Sequence, residues 1–177
     1  MTLQHKYWLA GLLGISGIAL SSLVPGGPIE TRDFSQINPV TLGMFNTFLT
    51  TLCLGSLLLV YFVLKSERWA IFVAAVCGLS YLGVYGLDLA VIFPVSPDTM
   101  PPALLTIEVF GTILAFPLML LPIQMLPTLK TAIVTTAPLL DSEHPAAFRL
   151  PQMAIALSIG IIALGIITFA TYSAMGL

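Results

Sequence analysis

Charge is scarce in this chain. Lysine and arginine together number six and aspartate and glutamate eight, so charged residues fill 8% of the 177 positions. A soluble domain carries about 25%, and the shortage excludes water as the main solvent of the folded chain. The formal net charge of −2, with basic residues scattered, leaves no patch for nucleic acid. Histidine is rarer still: His5 and His144 both lie outside the apolar runs, which excludes a buried bis-histidine haem. Two cysteines, Cys53 and Cys77, fall inside apolar runs at different expected depths. They are expected to be packing residues and not a disulfide. No P-loop, GxSxG elbow, HExxH or CxxC is present, and no repeat of 20–50 residues is visible. The sequence therefore names no cofactor, and a soft-metal set of Met119, Met125 and His144 is its only, weak, metal reading.

What the chain has instead is hydrophobicity. Apolar residues make up 58% of it, with a mean hydropathy of +1.03. Runs of roughly 20 apolar residues mark membrane helices, and five such segments are expected: 7–24, 41–64, 70–93, 103–126 and 152–174. The fold class is all-α, one polytopic helical bundle over residues 1–177, with no room for a separate soluble domain. A basic start at Lys6 followed by an apolar run also fits a signal peptide. The length of the run, and Tyr7 and Trp8 as interfacial anchors, favour an uncleaved helix.

The boundaries follow from local chemistry. Pro25-Gly26-Gly27-Pro28 ends the first segment, and a polar loop with Glu30, Arg32, Asp33 and Asn38 follows. Ala10, Gly11, Gly14 and Gly17 on the first segment, and Gly83 and Gly86 on the third, are small enough for close helix approach. Pro117, Pro122 and Pro127 each remove an amide donor, so the fourth helix is expected to kink or break toward its end. Residues 128–150, with Lys130, Asp141, Glu143, His144 and Arg149, read as an interfacial helical turn or an irregular loop. With five helices, alternate loops share a side, and Lys6, Lys65, Arg68, Lys130 and Arg149 then face Arg32 alone. The positive-inside rule puts the N-terminus in the cytoplasm and the C-terminus outside, in a bacterial plasma membrane or another internal membrane.

Two acids stand out within the apolar runs. Asp88 lies before a Pro-rich turn and Glu108 after it, each expected about five residues from its helix end, or roughly 7–8 Å in. Asn46 is expected at a similar depth, and Tyr85, Thr112, Thr168 and Tyr172 in the same layer. Carboxylates in lipid usually face a partner, a cavity or a function. A helix N-terminus favours negative charge on Glu108, whereas a C-terminus opposes it on Asp88, which makes Asp88 the expected proton holder of the two. The pair fits a shared proton, a cation site, a salt bridge to Arg32, or a purely structural hydrogen bond. Asn46, with Thr50 and Cys53 on its helical face, fits helix-to-helix bonding equally well.

Three functions remain. The sparse loop chemistry favours a non-enzymatic subunit or partner-binding component of a larger membrane complex, its partners being the bilayer, other membrane subunits or a second copy. The alternative is a carrier or sensor of protons, cations or a small ligand, using Asp88, Glu108, Asn46, Tyr85 and Arg32. An intramembrane enzyme built on the same acids is third, with no catalytic residue assigned.

Overall fold

The computed structural model describes residues 3–135 and 150–176, and side-chain environments over 4–125 and 158–176. Within these residues the chain is helical, with α1 (Leu3–Ser21), α2 (Pro39–Leu64), α3 (Arg68–Leu89), α4 (Pro102–Thr135) and α5 (Leu150–Ala174). Three helical stretches are long and apolar enough to cross a membrane: Pro39–Leu64, Arg68–Leu89 and Pro102–Met125. Of α5, the described apolar part is Ser158–Ala174. The polar Gln4, His5 and Lys6 open α1 and shorten its apolar stretch.

Each start and stop has a local cause. Asn38 caps α2, its side-chain oxygen accepting the Val40 amide at 2.9 Å, and Pro39 sits in the first turn, where no amide donor is needed. The next turn is short because Ser66 takes a left-handed φ of 63°, which lets the Glu67 amide bond back to the Phe62 carbonyl at 3.1 Å. That geometry closes a helix C-terminus.

α3 ends at Leu89, four residues before the expected 93. Val91 adopts a φ of 55°, its amide bonds the Asp88 carbonyl at 2.8 Å, and the Ile92 amide bonds that of Leu87 at 2.9 Å. Asp88 therefore sits in the last turn of its helix and not a turn and a half inside it. α4 departs from expectation in the opposite way. It runs unbroken as helix from Pro102 to Thr135 through Pro117, Pro122 and Pro127, so the expected break does not occur, and 128–135 is helical as a continuation of α4, the helical one of the two forms expected there. Pro122 is among the fully buried side chains, beside buried Leu118 and Ala115, so neighbouring helices hold the ring in place and compensate the lost donor. Asp141, Glu143, His144 and Arg149 lie outside the described residues.

The first four helices close a ring. α1 packs on α2, α2 on α3, α3 on α4 and α4 back on α1, while α5 lies against α2. Leu9, Leu13, Val63, Ala70, Ile71, Ala74, Tyr81, Ala115 and Leu118 fill the centre with essentially no exposure. Gly78 sets the closeness of α3 and α4, since a Cβ there would lie 2.6–2.8 Å from the Leu118–Met119 backbone. Gly17 lets Leu57 approach α1. Gly83, Gly86 and Gly11 have open space beside them, so among the described residues the expected line through Gly83 and Gly86 makes no close contact. Cys53 and Cys77 are buried free thiols.

Candidate functional site: a buried arginine–carboxylate cluster

The loop between α1 and α2 turns inward over one end of the ring. Gly26 permits this with a φ of 79° and with no side chain where a Cβ would overlap Ser173. Its amide bonds the Glu30 carbonyl at 3.1 Å. The loop is then fastened at two more places. The Phe34 amide bonds the Ala174 carbonyl of α5 at 2.9 Å. Asp33 is tied to the α3–α4 loop, its amide donating to Asp98 at 2.8 Å and its carbonyl accepting from Ser96 at 2.7 Å.

Held this way, Glu30 and Arg32 point into the bundle and are 5% and 8% exposed. Arg32 forms a double fork. Its Nε and Nη2 donate to Glu30 at 2.9 and 2.7 Å, and its Nη1 and Nη2 donate to Asp88 at 2.9 and 2.7 Å. Paired planar contacts of this kind are the strongest that arginine makes with carboxylates. Burial alone would lower the Arg32 pKa, but the bonds and charges of Asp88 and Glu30 outweigh it and leave the pKa raised. A pKa raised above the unfolded value loses its stabilising contribution only as pH climbs past it. For arginine that lies beyond the usual range, so the cluster can be discharged only through its carboxylates.

Glu108 completes the cluster from α4. It is 2% exposed, it lines the same cavity as Asp88, and its Oε2 has no hydrogen-bond partner. The Tyr85 hydroxyl, on α3 one turn from Asp88, is likewise buried without a partner. Both line a cavity of about 40 Å³, together with Glu30, Asn46, Asp88 and Phe34. Room for one water takes roughly 10–15 Å³ on this measure, so the space suits a few water molecules and not an organic ligand.

The sequence-derived residues thus meet, with different duties. Arg32, Asp88, Glu108, Tyr85 and Asn46 gather at one end of the ring. Asn46 also donates to Thr171 of α5 at 3.2 Å, so it joins helices as well as lining the cavity. Thr112 and Thr168 bond to carbonyls of their own helices, and Tyr172 faces outward. Glu30 is the residue that sequence reasoning left in the loop without a role. Its spacing of two from Arg32 was the available signal, since alternate residues of an extended segment face the same way.

The class is then clear: a helical protein with membrane-length apolar helices and a buried ion cluster beneath an inward loop. Within that class, the chain belongs to the family described as domain of unknown function DUF8051, whose profile matches residues 5–137. The match takes in most of α1, all of α2 to α4, and every residue of the cluster. No curated protein matches the chain, nor does any solved structure.

Proposed function

We propose that this protein binds and releases protons at the Asp88–Glu108 pair, as a membrane carrier or sensor. The observation that carries this reading is the unpartnered, buried Oε2 of Glu108. One guanidinium stands against the three carboxyls of Glu30, Asp88 and Glu108, and both of its forks are engaged by the first two. Glu108 is left beside a carboxylate with no cation of its own. Two carboxyls can hydrogen-bond to each other only when one of them carries a proton. The place a metal cation would take between Glu30 and Asp88 is filled by Arg32. Among the described residues no group of three or more His, Cys, Asp or Glu side chains is placed to hold a metal ion. Of the species that fit a site lined by acids, a proton suits best.

A five-span arrangement with the N-terminus in the cytoplasm goes with this reading. Lys6 reaches the Leu64 carbonyl at 3.2 Å, which groups Lys6 with Lys65 and Arg68 at the end of the ring opposite the cluster. The C-terminal end of α5 meets the inward loop through Ala174. The basic end then faces the cytoplasm of a plasma membrane or other internal membrane, and the cluster lies toward the outer side. Infrared difference spectroscopy during acid titration tests proton binding directly. Wild type is expected to show a buried carboxyl band that is missing in Glu108→Gln. Identical spectra for the two proteins would sink the proposal.

A subunit role draws on a different observation. Gly83 and Gly86 of α3 and Gly160 and Gly165 of α5 have open space beside them, as suits a further helix packed closely in lipid. Purification in mild detergent as a monomer free of partners would count against that role.

A further inference from the structure

Below the carboxyls the interior stays polar for a distance and then becomes dry. Asp88, Tyr85, Tyr81 and Cys77 fall on one stripe of α3, three to four residues apart. The Tyr81 ring stacks on Tyr85 with centroids 6.1 Å apart and planes 16° from parallel. Its hydroxyl donates to the buried Ser56 of α2 at 3.0 Å. From Asp88 to Cys77 the stripe covers about 16 Å of helix axis, roughly half of a 30 Å hydrocarbon core.

Past Cys77 the same stripe continues as Ala74, Ile71 and Ala70, each 0% exposed. They belong to one buried cluster with Leu9 and Leu13 of α1, Val63 of α2 and Leu118 of α4. Leu9, Val63, Ala70 and Ile71 come from the basic end of the ring, where Lys6 meets Leu64. Close-packed apolar interiors of this kind hold no water, so among the described residues nothing there relays a proton. Around Glu108 itself, the titratable and charged neighbours are Asp88 and Tyr85 of α3 with Glu30 and Arg32 of the loop. α2 contributes the neutral Asn46 to the cavity and α1 the apolar Leu20.

We infer that protons reach the Asp88–Glu108 pair only from the side of the inward loop, which makes the protein a one-sided proton sensor and not a conductor. The inference rests on proton binding at that pair and adds to it the direction of access and the absence of through-passage.

The test uses the full chain in vesicles containing a pH-sensitive dye, with orientation read by impermeant labelling of a Ser35→Cys variant. After an external pH step, dye response is expected to match protein-free vesicles. In vesicles with Ser35 outward, the carboxyl band should follow external pH and ignore internal pH. Proton flux above the protein-free rate, or a band that follows pH equally from both sides, would overturn one-sided access while leaving proton binding intact. A wild-type protein with no such band would instead remove proton binding itself, and the inference with it.

Discussion

Arg32, Asp88 and Glu108 sit within one cluster, yet their substitutions should differ sharply. Asp88→Asn takes a charge from a doubly bonded partner and leaves Arg32 buried on Glu30 alone. Breaking a buried pair costs about 3–5 kcal/mol, and the surviving Glu30 fork places this loss at the low end. Arg32→Ala strands two carboxylates and should reach the high end. Arg32→Lys keeps the charge but loses the fork and should fall between them. Glu108→Gln is the contrast. Its amide fills the same space and offers Asp88 a donor, so stability should stay within about 1 kcal/mol of wild type. Thermal unfolding in one detergent ranks all four. A Glu108→Gln cost as large as that of Asp88→Asn would mean that Glu108 is not the unpaired member. The two acids and their possible tie to Arg32 were legible from the sequence, because carboxylates in apolar runs are rare. Which acid the arginine neutralises was not. Helix-end dipoles pointed to Asp88 as the proton holder, but a guanidinium in direct contact outweighs a dipole effect of about 0.3–1 kcal/mol.

At the scale of the elements, hydrophobic runs located all five helices, since a stretch of about 20 apolar residues leaves few alternatives. Their ends and contacts were less legible. The early stop of α3 depends on Val91 entering a left-handed conformation that β-branched residues avoid, so no propensity announces it. The continuity of α4 through Pro122 goes with the burial of that ring, which no local rule can supply. Glycine was ambiguous for the same reason: Gly78, Gly83 and Gly86 look alike in sequence, and only packing separates them. Gly78→Ala should push a methyl group into the Leu118–Met119 backbone and destabilise by about 1–3 kcal/mol. Gly83→Ala meets open space and should be neutral or stabilising by up to about 1 kcal/mol through helix propensity. Unfolding midpoints of the two variants in detergent check this. A harmless Gly78→Ala would contradict the close approach of α3 and α4.

Across the whole molecule, polarity is divided by end. One end of the ring holds the acids, the small cavity and the loop fastened to α3, the α3–α4 loop and α5. The other gathers Lys6, Lys65 and Arg68 around an apolar centre. Ser35 lies in the first end, beside Asp33, to which its amide and hydroxyl donate at 2.8 and 2.9 Å. Ser66 lies in the second, in the left-handed turn after α2. The two serines are separated by the full length of α2, 26 residues or about 39 Å of helix, more than a hydrocarbon core of roughly 30 Å. With the basic end inside, an impermeant thiol reagent added to intact cells should label Ser35→Cys and spare Ser66→Cys until the membrane is permeabilised. The reverse pattern would invert the orientation and turn the acidic site toward the cytoplasm. Labelling of both from outside would show that α2 does not span, and would remove the barrier that one-sided access requires.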